Sequence, residues 1–283
     1  MTPLVTIYIP TKNRPQLLRR AVKSCLAQDY LNLEIIIIDD HSDAVHTASI
    51  DQVASLDSRI KLFRQPASLG ACAARNRAID LAQGEFVTGL DDDDEFTDDR
   101  ISRFVRYWER RPNTAFLCSG YQVFTKNLTF SYARTAREIS WQQLLHSNLV
   151  GNQVFTRTKY LRQIGGFDVS MASCQDYDAW LRLSQHVGIG FRIPHVSYLV
   201  HQEHDENRIS TDSRRVQGYQ AILSKHQQYM SASQLKSQNF YRILQTENWS
   251  PTQLLVCSNR QTFKIAVKNV LLRFFLHLKG TFR

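Results

Sequence analysis

At 283 residues the chain has room for one large α/β domain with an appendage, and its 43% hydrophobic and 22% charged residues exclude disorder over most of its length. The formal net charge of +9 favours an anionic partner: nucleotide phosphates, nucleic acid or an acidic membrane surface. Cys25, Cys72, Cys118, Cys174 and Cys257 are scattered with no Cys-x-x-Cys pair, so buried free thiols are expected rather than a disulfide framework or a zinc site.

The β-branched run at residues 5–9, closed by Pro10, predicts a strand, with no signal peptide ahead of it. Asn13 as cap and Pro15 in the first turn then suit a helix through Leu17, Leu18, Ala21, Val22, Cys25 and Leu26. Leu33-Glu34-Ile35-Ile36-Ile37-Ile38 is the apolar run of a strand covered on both faces, ended by Asp39-Asp40. A short strand at 60–63, a helix through Ala71, Ala74, Ala78, Leu81 and Ala82, and a strand at 86–90 follow. Such alternation predicts a mostly parallel sheet flanked by helices, whose ligands collect beyond the carboxyl ends of the strands. Polar residues stand at those ends: Thr11-Lys12-Asn13-Arg14, Asp39-Asp40 and Asp91-Asp92-Asp93-Asp94.

After residue 90 the pattern loosens. A helix is expected around Ile101, Phe104, Val105 and Trp108, a strand at 115–121, a turn at Gly165-Gly166-Phe167-Asp168, a helix from near Asp176, and a strand at 196–200. Beyond Asn207 the chain reads as polar and helical, and Pro251 sets off a last segment at 261–283.

Asp91-Asp92-Asp93-Asp94-Glu95 directly follows an apolar strand. Packed like charges need protonation or a counter-ion, so the cluster suits Mg²⁺ or Mn²⁺ shared with a diphosphate; a solvated acidic loop is the alternative. At this point the ordered motifs carry a resemblance. Ile7-Tyr8-Ile9-Pro10-Thr11-Lys12-Asn13-Arg14, then Ile38-Asp39-Asp40-His41-Ser42-Asp43 (with His41 where Gly is usual), then Leu69-Gly70-Ala71-Cys72-Ala73-Ala74-Arg75-Asn76, then Leu90-Asp91-Asp92-Asp93-Asp94, then Gly165-Gly166-Phe167-Asp168 with Gln175-Asp176-Tyr177-Asp178, resemble in order the motifs of family 2 glycosyltransferases with the GT-A fold.

The resemblance implies a nucleotide-sugar-binding half at 1–95, an acceptor half at 96–210 and a helical extension at 211–283. It implies that Pro10, Thr11, Asn13, Arg14 and Asp40 line the nucleotide pocket, with Asp40 bonded to the base, Arg75 near the diphosphate or sugar, and Asp92 near the ribose. It further implies Asp91 and Asp93 as ligands of Mn²⁺ or Mg²⁺, His204 closing over that site, and Asp176 as the base that deprotonates the acceptor hydroxyl; Gln175 stands where Glu is frequent. The implied reaction is inverting transfer of glucose or galactose from a UDP-sugar to a lipid-linked sugar such as N-acetylglucosaminyl diphosphoundecaprenol, in surface polysaccharide (O-antigen) assembly. A nucleotide-sugar-binding protein without catalysis, or a transferase acting on another glycan or a protein, is the alternative. No nucleic-acid platform or phosphate loop is found.

Phe263, Val267, Val270, Leu271, Phe274 and Leu278 share a face of the last helix, 261–280, among Lys264, Lys268, Arg273 and Lys279. That segment is too charged and short to span a membrane. It suits either packing on its own domain or peripheral contact with an anionic membrane surface, at the cytoplasmic side of a bacterial inner membrane.

Overall fold

The structure, a computed structural model, describes residues 2–203, 212–246 and 249–280, with side chains in the last helix described through Phe274. In chain order the elements are β1 (Val5–Thr11), α1 (Pro15–Leu26), β2 (Leu33–Asp39), α2 (Ala44–Ala54), β3 (Ile60–Arg64), α3 (Ala71–Leu81), β4 (Phe86–Gly89), β5 (Glu95–Phe96), α4 (Arg100–Arg110), β6 (Leu117–Phe124), β7 (Thr129–Tyr132), β8 (Arg137–Ile139), α5 (Trp141–Leu144), β9 (Phe155–Arg157), α6 (Thr158–Gln163), α7 (Gln175–Val187) and β10 (Gly190–His201). Four helices follow: α8 (Asp212–His226), α9 (Ala232–Leu244), α10 (Pro251–Val256) and α11 (Phe263–Gly280). The chain divides into two compact units, Met1–Trp141 with Val150–Val169 and Asp176–Glu206, and Gln142–Leu149 with Ser170–Gln175 and Asn207–Arg283.

The first unit is built on one sheet ordered β3-β2-β1-β4-β9-β6-β10-β5, with β7 beside β6 and β8 beside β10. Its first part is parallel as the alternation predicts: β1 pairs with β2 on one side and β4 on the other, and β2 pairs with β3. The β2 run is buried throughout, because both faces of this central strand are covered. The second part is mixed. β9 lies antiparallel to both β4 and β6, and β10 runs parallel to β6 but antiparallel to β5 and β8. Packing holds β9 there: Phe155 stacks on Phe86 at 4.9 Å and on Phe104 at 5.2 Å between ring centroids.

Strand order places β1 at the point where the chain, having added β2 and β3 to one side, returns to add β4 on the other. At such a switch point the connections leave in opposite directions and open a crevice at the carboxyl ends of the strands. The register puts Thr11 beside Asp39 and Tyr8 beside Gly89, so all three polar strand ends share that edge.

The second unit has a small core of Phe240, Leu254 and Ala266, onto which Tyr241, Trp249, Ile265 and Val270 pack. Capping boxes start α9 (Ser231 with Gln234) and α10 (Ser250 with Gln253). Asn259 then ties the turn before α11 to α9 by donating to Ser237 Oγ at 2.7 Å. The apolar stripe read along α11 is divided: Val270 turns to this core, while Phe263 and Leu271 are exposed. Among the described residues no helix is long and apolar enough to cross a membrane. None of the five cysteines is in a disulfide; Cys25, Cys72 and Cys118 are buried and Cys174 and Cys257 half-buried.

Candidate active site

The first polar strand end is knitted to the second. Asn13 has a left-handed backbone, φ 59°, and its amide exchanges two hydrogen bonds with Asp43: Nδ2 donates to Oδ2 at 2.9 Å and Oδ1 accepts from the Asp43 N–H at 2.7 Å. Asn13 therefore does not cap α1, which begins at Pro15 after Arg14 with no side-chain cap. Pro10 lies in β1 beside Ile38 of β2. His41 adopts φ 61°, a conformation open to Gly at no steric cost and populated by few other residues. That backbone explains why Gly is usual at this place in the motif.

Asp40 is buried and fully engaged within the protein. Its Oδ1 accepts from Gln65 Nε2 at 2.5 Å and the Leu69 N–H at 2.8 Å; its Oδ2 accepts from Ser68 Oγ and the Gly70 N–H, both at 2.9 Å. Four donors fill the four lone-pair sites of a carboxylate. Asp40 thus shapes the loop that leads into α3. Asp40→Ala should destabilise the protein by about 3 kcal/mol or more, because it strands buried donors. The fall in thermal or denaturant midpoint measures this; an unchanged midpoint would remove the structural role.

The acidic motif forms a turn in which the Asp94 N–H donates to the Asp91 carbonyl at 3.1 Å. Its carboxylates alternate. Asp92 and Asp94 are buried, whereas the side chains of Asp91 and Asp93 keep 24% and 17% of their exposure. Asp92 accepts from Thr11 Oγ1 at 2.7 Å, and Arg14 lies 3.4 Å from Asp92 and 3.5 Å from Asp93. Asp94 accepts from the His201 N–H at 3.0 Å. Burial, with Asp93 beside it, pushes the Asp92 carboxyl up to about 7 and the Asp94 carboxyl well above the usual carboxylate range. Close carboxylates thus crowd one another in this turn.

Arg75, on α3, enters this cluster from the side. It is buried, its Nη2 donates to Asp91 Oδ1 at 2.8 Å, and its Nε and Nη1 are buried without a hydrogen-bond acceptor. Its guanidinium sits 5.4 Å from the ring centroid of Phe167. The next residue, Asn76, clasps the turn before α7, donating to the Phe167 carbonyl at 2.8 Å and accepting from its N–H at 2.7 Å. Gly166 has φ 68°, and a Cβ there would stand 2.3 Å from Asn76 Oδ1, so the clasp requires glycine.

Asp176 is in the first turn of α7, where the helix N-terminus favours its charge. Burial is the larger influence and raises its carboxyl to about 6; the Tyr177 N–H and Arg75 hold it down, and Asp91 pushes it further up. Asp176, Arg75 and Asp91 therefore share one electrostatic neighbourhood. Asp178 is buried and paired with Arg182 at 2.8 Å.

Sequence patterns did not single out Gln153 or Tyr198. Gln153 accepts from Tyr8 Oη at 2.9 Å and donates to Asp91 at 3.2 Å; Tyr198 Oη accepts from the Asp91 N–H at 3.3 Å. Gly89 makes room for that Gln153 contact, since a Cβ would come within 2.2 Å of its Oε1. Among the described residues no three His, Cys, Asp or Glu side chains converge as a metal cluster, and His204 lies outside the described residues. The pair Asp91 and Asp93 nevertheless fits a hard divalent cation. They carry the more open side chains of this acidic turn, and such a cation binds through one or two carboxylates, completing its shell with phosphate and water.

Comparison with known proteins agrees with this architecture. The TarS protein of S. aureus, residues 1–349 in complex with UDP-GlcNAc, superposes with a TM-score of 0.69 at 14% identity, covering 94% of this chain and 80% of that one. A protein of Escherichia coli (strain K12) named as a colanic acid biosynthesis glycosyl transferase, WcaA, is 34% identical over 93% of this chain and 96% of its own length. A Campylobacter jejuni protein named GalNAc(5)-diNAcBac-PP-undecaprenol beta-1,3-glucosyltransferase is 39% identical over 56% of this chain and 49% of its own. The family model described as Glycosyl transferase family 2 matches residues 6–167, which span β1 through the Gly-Gly-Phe turn, and the chain belongs to that family, with the GT-A fold.

Proposed function

We propose that this glycosyltransferase moves a hexose, glucose or galactose, from a UDP-sugar to a hydroxyl of a lipid-linked sugar acceptor, with inversion to a β-linkage, in surface polysaccharide assembly at the cytoplasmic face of a bacterial inner membrane. The observation that carries the reading is the meeting of Asp176, Arg75 and Asp91 at the switch-point edge of the sheet. The names of the colanic acid and undecaprenol-linked relatives support the acceptor class, and the UDP-GlcNAc complex of TarS supports the donor class.

In this mechanism Asp176 accepts the proton of the attacking hydroxyl as the new bond forms at the anomeric carbon. Attack from the face opposite the leaving diphosphate inverts that carbon. The unpaired N–H groups of Arg75 meet the negative charge that develops on the leaving group. Asp91 and Asp93 would hold Mn²⁺ or Mg²⁺, which supplies neutralisation of the diphosphate. Thr11 and Arg14 fix Asp92 at the ribose end of the pocket. Asp40 contributes by holding the 65–70 loop; a base N–H would exchange with Ser68, whose hydroxyl is the rotatable donor of the four.

The test is incubation with UDP-glucose and UDP-galactose and a synthetic N-acetylglucosaminyl diphospholipid, with the product linkage read by NMR. A β-linked disaccharide lipid is expected. Release of UDP with no product from any lipid-linked sugar would overturn the acceptor reading, and an α-linkage would overturn inversion.

A further inference from the structure

Helix α11 has two unlike faces. Ala266 is buried, and Ile265 and Val270 pack with it against Phe240 and Leu254 of the second unit. Around the helix from these, Phe263, Leu271 and Leu272 remain exposed by half or more. They are spread over the half of the helix turned from that core, and large apolar side chains left exposed in this way mark a contact surface. Lys264 and Lys268 are exposed as well, one turn apart and interleaved with the apolar residues: Lys264 follows Phe263, and Lys268 lies three residues before Leu271. Residues 248–283 carry Lys or Arg at positions 260, 264, 268, 273, 279 and 283 and no Asp or Glu.

We infer that this outward face of α11 docks on the headgroup layer of an anionic phospholipid bilayer. Its charge is of one sign and complements such a surface, while its apolar side chains reach the depth where acyl chains begin. A soluble acidic partner would satisfy the lysines and leave Leu271 and Leu272 in water. The inner face already spends its apolar residues on α9 and α10, so the helix lies along the surface and does not insert across it. The surface belongs to the second unit and includes none of the residues of the candidate active site; only its link to a lipid-borne acceptor rests on the function proposed above.

The experiment is co-sedimentation of the full chain with vesicles of phosphatidylcholine alone and of phosphatidylcholine mixed with phosphatidylglycerol. Binding is expected to be markedly stronger to the mixed vesicles than to the neutral ones. Lys264→Glu with Lys268→Glu should weaken it by at least about fivefold per lysine. Leu271→Asp with Leu272→Asp should weaken it at least as much, and high salt should reduce wild-type binding only in part. These side chains are exposed, so circular dichroism should stay unchanged, and transfer to a soluble acceptor analogue should match wild type. Failure of transfer with vesicle binding intact would count against the proposed function alone. A wild-type protein that stays in the supernatant with anionic vesicles overturns the inference. So does a change from dimer to monomer in the leucine variants without loss of vesicle binding, which would assign the face to a second copy of the chain.

Discussion

Asp176→Asn is expected to lower kcat by about 10²–10⁴-fold while calorimetric affinity for UDP stays close to wild type, because the lost group acts on the acceptor proton. The substitution keeps the shape of the side chain and its place in the first turn of α7. The pH profile supplies a second readout. Burial raises this carboxyl to about 6, and only its ionised form can take a proton, so wild-type kcat/KM should climb with pH through about 6 and then level off. The variant should lack that limb. Stability moves the other way. A carboxyl raised above its unfolded value binds its proton more tightly in the folded state. Its favourable contribution is complete below the unfolded value and is lost as pH rises through about 6. At pH 8 the Asn variant should therefore melt no lower than wild type. Lost UDP binding with normal turnover at saturation would move Asp176 to the donor pocket.

Chelation is expected to abolish transfer, with Mn²⁺ or Mg²⁺ restoring it, and Asp93→Ala should lose activity with the fold intact. The cause is the acidic turn itself, where burial and mutual repulsion already hold Asp92 and Asp94 above the carboxylate range. A divalent cation offsets that repulsion, so Mn²⁺ should raise the wild-type melting temperature, and by less in the Asp93→Ala protein. Full activity in excess chelator would sink the metal reading; a cation-induced shift of equal size in the variant would place the cation elsewhere.

The parts of this molecule that sequence exposes are those governed by local rules. β1, β2 and β4 are apolar runs that end in polar residues, and the strand ends Thr11, Asp39 and Asp91 follow from them directly. Helix α2 gave no such signal, because only Ile50 and Val53 are buried on it. β9 is three residues long and owes its place to the stacking of Phe155 between Phe86 and Phe104, a tertiary effect with no periodicity to detect. The same holds within the site. Asp40, Arg75, Asp91 and Asp176 stand in motifs, but Gln153 and Tyr198 reach Asp91 from an irregular stretch and from mid-strand. That Asp40 is saturated by four internal donors is a fact of the folded loop, invisible in the residue itself.

The pair Arg75 and Asn76 has a consequence for building hybrid enzymes. One residue of α3 serves the acidic turn, and its immediate neighbour fastens the Gly-Gly-Phe turn that precedes Asp176 in the chain. Grafting the first 95 residues of a relative onto this chain in order to import its sugar-donor preference would transplant half of that fastening without its counterpart. Residues 164–168 must travel with the graft, or the Gly-Gly-Phe turn of the hybrid will have lost its anchor.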